Sequence, residues 1–157
     1  MPAESHAQKI EEQLAETWLP RIYRERILKL RTRSYHFESS NSLPRVVIQH
    51  TLLGVELKVG PKRLLCPDLA TARYLSVFAR VGCRDVAVPY DITKISHLAD
   101  ELESSWYRML LLIDQEARAE SARLRSRVRG LLLAKIRAEI AEAGAGTRVP
   151  EFKLKRH

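Results

Sequence analysis

Residues 54–89 constrain the fold of this chain most, because turn residues, strand alternation and helical periodicity follow one another there in a compact order. Apolar and charged side chains alternate over residues 55–59, which is the period of a half-buried strand. Gly60-Pro61 predicts a turn, and residues 63–66 predict a second strand beside the first. The stretch therefore begins with a predicted β-hairpin.

A helix is predicted to follow this hairpin. Asp68 is placed to cap the helix start, and Gly82 suits the left-handed position just past its end. Residues 86–88 then form a short apolar strand, so the helix would lie across one face of a small sheet. The apolar residues on one helix face are Leu69, Ala72, Leu75, Phe78 and Ala79.

The flanking segments complete an α+β fold. Residues 3–33 predict two helices with Pro20 at their junction, since proline is tolerated in a first helical turn. Residues 45–52 are β-branched and predict a strand that either pairs with 55–59 or continues into it as one bent strand. The predicted fold is thus a small β-sheet, made of the hairpin and two short strands, packed with N-terminal helices and one middle helix. A long C-terminal helix or helical hairpin and a basic tail follow.

Three regions are predicted along the chain. Residues 1–113 form a compact α+β domain, and residues 114–143 a basic amphipathic helix that projects, folds back or dimerises. The reason is length, because one helix of about 50 residues would be roughly 75 Å long, more than this domain can cover. Residues 144–157 contain glycine, proline and basic residues and predict a flexible basic tail.

The charge points to an anionic partner. A net charge of +8 and a pI near 9.8 favour nucleic acid or another acidic surface. Two basic helices and the tail carry this excess, and we expect them to contact phosphates without catalysis, in DNA or RNA. A solvated helix face is the alternative interpretation. The predicted nucleic-acid-binding residues are Arg21, Arg24, Arg26, Lys29, Arg31, Arg33, Arg123, Arg125, Arg127, Arg129, Arg137, Lys153, Lys155 and Arg156.

A second hypothesis concerns the apolar stripe within residues 124–140. These side chains recur at helical spacing, so they could pair with a second copy of the chain or with an acidic protein, as in a coiled coil flanked by charges. The protein would then serve in interaction or assembly. The stripe consists of Leu124, Val128, Leu131, Leu132, Ile136 and Ile140.

A third hypothesis rests on Glu56 and Lys58, which lie two residues apart on a predicted strand and therefore point to the same face. A metal-dependent nuclease uses such a pair, with the acid binding Mg²⁺ and the lysine near the phosphate. An amphipathic strand with two solvent-facing charges shows the same pattern.

The order of helix, strand, strand, Glu-x-Lys strand, helix and strand resembles the core of the PD-(D/E)XK nuclease superfamily over about residues 20–90. Residues 72–88 look like the corresponding part of archaeal Holliday-junction resolvases. In that superfamily a Pro-Asp pair supplies another metal ligand, and Pro44-Arg45 stands at the matching place here. The resemblance implies either a Mg²⁺-dependent nuclease using Glu56 and Lys58 or a DNA-binding domain without that ligand.

Other classes of protein are disfavoured. The sequence has no apolar run of about 18 residues, and glutamates occupy the N-terminus where a secretory signal would be basic and then apolar. We therefore expect a soluble cytoplasmic protein without a membrane partner. Cys66 and Cys83 bracket the middle helix, roughly 20 Å apart, too far for a disulfide. No cofactor is expected outside the nuclease hypothesis.

Overall fold

The structure is a computed structural model, and it describes residues 1–38 and 45–145. The α+β class predicted from the sequence is confirmed. A 3₁₀ turn, Ala15–Thr17, precedes α2, and a π-helical turn, Tyr23–Ile27, continues it. The elements are α1 (Ala3–Leu14), α2 (Leu19–Ile22), β1 (Thr32–His36), β2 (Val46–Thr51), β3 (Gly54–Val59), β4 (Lys62–Cys66), α3 (Leu69–Val81), β5 (Asp85–Pro89), α4 (Ile92–Glu116) and α5 (Ala122–Ala143).

The N-terminal helical region ends earlier than the sequence predicts. Pro20 lies in the first turn of α2, as expected, but the helical turns stop at Ile27 and β1 begins at Thr32. The predicted helix to residue 33 is therefore wrong at its end. Thr32 is buried between the exposed Arg31 and Arg33, which is the two-residue period of a strand.

The strands form two antiparallel sheets where the sequence predicts one. β1 pairs with β5, and β2, β3 and β4 form a separate sheet in that order. The reason lies at Ala87 of β5, whose N–H and C=O face away from β1 and bind two tyrosine hydroxyl groups. That edge of β5 is therefore occupied, and no strand of the hairpin can pair there.

The three-stranded sheet contains both predicted pairings of β3. The register places Ile48 and Leu64 on either side of Leu57, which is fully buried. Gly54, with φ of +127°, allows the turn between β2 and β3, so these are two strands and not one bent strand. The sheet face that includes Leu57 packs against α3.

Helix α3 begins and ends where the sequence predicts. The Asp68 carboxylate accepts the N–H of Thr71 at 2.7 Å, and Gly82 adopts the left-handed conformation at φ 92° and ψ 24°. Cys66 and Cys83, before and after the helix, are both buried free thiols.

The C-terminal helical region consists of two helices. Ser121 caps α5 by accepting the N–H of Leu124 at 3.1 Å, after a break at residues 117–121. Helix α5 folds back along α1, where Lys135 and Glu11 form an ion pair at 2.5 Å. Among the described helices, none is both long and apolar enough to cross a membrane. The buried residues of α5 are Val128, Leu132, Leu133, Ile136 and Ile140.

Two buried tyrosines connect strand β5 to the helices around it. The Tyr23 hydroxyl accepts the Ala87 N–H at 2.9 Å and donates to the Gly144 carbonyl at 2.6 Å. The Tyr74 hydroxyl donates to the Ala87 carbonyl at 2.6 Å. Burial raises the pKa of Tyr23 to about 12, so its proton remains available for the second bond. Tyr23 thereby connects β5 to the end of α5.

Candidate nucleic-acid interface

The basic residues between Arg21 and Arg33 fall into two groups in the structure. The first three arginines form ion pairs with the protein's own carboxylates, two of them on distant helices. Exposed pairs of this kind contribute little to stability, but they occupy the guanidinium groups within the fold. The pairs are Arg21 with Glu25 at 3.2 Å, Arg24 with Glu139 at 3.4 Å and Arg26 with Glu101 at 2.9 Å.

The second group faces solvent. Lys29, Arg31 and Arg33 are exposed, and within residues 1–38 and 45–145 none of them forms an ion pair with a carboxylate. The direction of Arg31 and Arg33 follows from β1, because Thr32 points into the core and its two neighbours must point outward. These cations are therefore available to an external anion.

An exposed tyrosine lies against the two arginines. The guanidinium carbons of Arg31 and Arg33 are 5.5 Å and 5.6 Å from the centroid of the Tyr90 ring, which is within cation–π range. Tyr90 is 47% exposed, and its N–H donates to the Arg31 carbonyl at 3.0 Å. We call Lys29, Arg31, Arg33 and Tyr90 the Tyr90 cluster.

Sequence reasoning missed Tyr90. It stands between the apolar strand ending at Pro89 and the helix-capping Asp91, where an aromatic residue has neither strand nor helix to bury it. That position was the available signal. Its contact with Arg31 and Arg33 could not be read from the sequence, because it depends on the pairing of β1 with β5.

Asp91, which follows Tyr90 in the chain, is engaged by its own helix. Asp91 accepts hydrogen bonds from the hydroxyl and the N–H of Thr93, at 2.6 Å and 3.0 Å. These bonds, with the nearby charge of Lys94, hold the pKa of Asp91 below its ordinary value. Ile92, beside it, is 63% exposed. The surface around the cluster therefore has three exposed cations, one ionised carboxylate that caps α4, and exposed apolar area.

The arginines of α5 also divide. Arg123 and Arg127 are exposed, and Arg127 is 3.9 Å from a Glu4 carboxylate that is itself 66% exposed. Three others contact the protein itself. Arg125 donates to the Glu120 carbonyl at 2.6 Å, Arg137 donates to the Val81 carbonyl at 2.8 Å, and Arg129 lies 5.7 Å from the Trp106 ring centroid.

The two predicted basic helices therefore do not form one surface. The Tyr90 cluster lies at the start of α4, whereas Arg123 and Arg127 follow its end. Since α4 has 25 residues, its two ends are roughly 37 Å apart, and Arg123 and Arg127 lie on the side of its later turns. Lys153, Lys155 and Arg156, predicted as tail contacts, lie outside the described residues.

The apolar stripe proposed for assembly is used within the chain. Val128, Leu132, Ile136 and Ile140 are each at most 1% exposed and belong to the common hydrophobic core. Leu124 and Leu131, which are half-buried, pack at its border. A second copy could reach the buried side chains only if α5 left the fold.

Glu56 and Lys58 point to the outer face of the three-stranded sheet, as their alternation predicts, with Glu56 3.9 Å from Arg63. Two other acids have partners of their own, since Glu38 pairs with Lys62 at 2.9 Å and Asp68 caps α3. No group of three or more His, Cys, Asp or Glu suited to a metal ion occurs in the described part of the chain. Arg45 precedes β2, and Pro44 lies outside the described residues. The nuclease hypothesis stays a prediction.

A cleft of about 1290 Å³ opens between α5, the end of α3 and the turn after β3. It lies at the Asp85 end of β5, opposite Tyr90. Arg45, Arg84 and Arg137 line it, with Cys83 among them. Burial raises the pKa of Cys83 to about 12 despite the nearby Arg137, so the thiol is protonated at neutral pH. Sequence reasoning did not single out this cleft.

Comparison with models of protein families, with curated proteins and with solved structures found no significant match to the chain. The interpretation of the surface therefore depends on its own geometry. That geometry combines two exposed arginines and an exposed aromatic ring at a fixed backbone position.

Proposed function

We propose that the protein binds nucleic acid, with the Tyr90 cluster as its principal contact surface. The observation that supports this proposal is the division of the basic residues. Arg21, Arg24 and Arg26 pair with internal carboxylates. Lys29, Arg31 and Arg33 form no such pair within the described residues, and the two arginines lie over the exposed ring of Tyr90. Solubility alone does not require cations to gather around an aromatic side chain.

The physical basis of binding is charge neutralisation. Each lysine or arginine that contacts a phosphate releases counterions, so affinity falls with salt in proportion to the number of contacts. Arginine also forms two parallel hydrogen bonds to one phosphate. Arg123 and Arg127 on α5 supply a second, separate contact when the nucleic acid is long enough to reach them.

The test is a binding titration over a salt series with two matched double variants. Arg31→Gln with Arg33→Gln removes two cations of the Tyr90 cluster, and Arg21→Gln with Arg24→Gln removes two paired cations. Both change the net charge equally. We expect the first to weaken binding more and to reduce the salt slope by roughly 0.7 to 0.9 for each phosphate that the variant no longer neutralises.

Two results would count against the proposal. The first is an absence of salt-dependent binding to any single-stranded or duplex nucleic acid. The second is an equal loss of affinity in both double variants, which would mean that only overall charge matters and that the Tyr90 cluster has no special part.

A further inference from the structure

We infer that the Tyr90 cluster binds single-stranded nucleic acid, with an unpaired base stacked on the exposed part of the Tyr90 ring beside the guanidinium groups of Arg31 and Arg33. This inference rests on the proposed function and narrows its ligand. It depends on the ring of Tyr90, whereas the proposed function depends on charge.

The backbone that carries the ring is held on both sides of Tyr90. The Tyr90 N–H to Arg31 carbonyl bond extends the ladder in which Thr32 faces Pro89. On the other side, Asp91 caps α4 directly after Tyr90. An aromatic ring fixed between a strand and a helix loses little freedom when a ligand stacks on it.

The chemistry of the cluster fits a strand better than a duplex. In a duplex the faces of the bases are already stacked on each other, so a protein reaches only their edges and the phosphates. A single strand exposes base faces, which stack on aromatic rings and on arginine planes. Tyr90 is 47% exposed, so part of an aromatic side chain is open to a base at this surface.

The cations complete the site. Arg31 and Arg33 lie on the same face of the chain, two residues apart, and within residues 1–38 and 45–145 neither side chain donates a hydrogen bond, so their donors can bind phosphates next to a stacked base. Lys29 adds a third charge before β1. A backbone that passes along β1 would place its phosphates on these side chains while a base covers Tyr90.

The experiment measures fluorescence anisotropy with labelled oligothymidylate, labelled oligouridylate and a duplex of the same length. The variants are Tyr90→Leu, which removes the ring, and Tyr90→Phe, which keeps it. Tyr107→Leu is the matched control, because Tyr107 is 58% exposed on α4 and outside the Tyr90 cluster. Circular dichroism confirms that each variant is folded.

We expect Tyr90→Leu to weaken strand binding roughly five-fold to one hundred-fold without changing the salt slope, because stacking carries no charge. Tyr90→Phe and Tyr107→Leu retain the affinity of the original protein. Duplex binding is weaker than strand binding and insensitive to all three changes. Comparing the affinities for oligothymidylate and oligouridylate shows whether the protein prefers single-stranded DNA or RNA.

The inference is overturned if the duplex binds as tightly as the strands, or if Tyr90→Leu behaves like Tyr107→Leu. With a steep salt dependence, either result would leave the proposed function standing and remove only the single-strand assignment. If no probe binds at any salt concentration, both proposals fail together.

Discussion

Replacing Tyr23 by phenylalanine tests the hydroxyl that joins β5 to the end of α5. The substitution keeps the ring, which is fully buried and packs against Phe78 at 5.7 Å between centroids. It removes the bonds to the Ala87 N–H and to the Gly144 carbonyl. The change in stability therefore reports on these two bonds.

The magnitude follows from what each partner loses. The Ala87 N–H is buried and would remain unpaired, which costs about 1 to 2 kcal/mol. Gly144 is half-buried, so its carbonyl can recover a water molecule and the net loss there is about 1 kcal/mol. We expect a total decrease of about 2 to 3 kcal/mol in the free energy of unfolding, and a melting temperature lower by roughly 5 to 10 °C.

Urea unfolding followed by circular dichroism measures this change. Tyr107→Phe is the control, because Tyr107 is 58% exposed and its hydroxyl contributes little. Tyr74→Phe gives an internal comparison, since Tyr74 makes one bond to Ala87 and should cost less than Tyr23. The reasoning is refuted if Tyr23→Phe is no more destabilising than Tyr107→Phe.

Three further predictions concern side chains in the core or at its border. Leu132→Ala, at a side chain that is 1% exposed, should lower stability by about 2 to 5 kcal/mol without altering the molar mass in solution; light scattering that shows the loss of an oligomer would instead support assembly through α5. At alkaline pH, the raised pKa of Tyr23 contributes stability that is complete below pH 10 and is lost as the pH rises toward 12. Tyr23→Phe should therefore make stability fall less steeply between these two pH values. An unchanged pH dependence would contradict a buried neutral hydroxyl group at Tyr23. At acid pH, desolvation of Glu116 is outweighed by hydrogen bonds from His6 and Lys9, which lower its pKa from 4.5, so its contribution to stability should be present above that pH and lost as the pH falls below it. Glu116→Gln should therefore remove part of the loss of stability at acid pH in urea titrations. An acid dependence identical to that of the original protein would refute this assignment.

Local signals in the sequence predicted local structure well. Asp68 and Gly82 bound α3 because a cap and a left-handed residue act within a few positions of themselves. The hairpin around Gly60 was predicted for the same reason. These elements needed no information from distant parts of the chain.

Pairings between distant residues could not be predicted in this way. β1 pairs with β5, about fifty residues away in the chain. A single sequence also does not show that the N–H and C=O of Ala87 bind the hydroxyl groups of Tyr23 and Tyr74. Which arginines form internal ion pairs depends on the same kind of contact, because Arg24 can pair with Glu139 only after α5 has folded back. The candidate site was therefore predicted in part: Lys29, Arg31 and Arg33 were named, but the ring beside them was not.

The occupied edge of β5 also limits aggregation. An exposed strand edge is a template on which another polypeptide can add, and proteins close such edges to avoid it. Here two phenol groups take the main-chain N–H and C=O of Ala87, so a foreign strand would have to displace two buried hydrogen bonds before it could pair. The two-stranded sheet next to Tyr90 can thus expose a ligand-binding surface, while the occupied edge of β5 opposes the addition of a foreign strand.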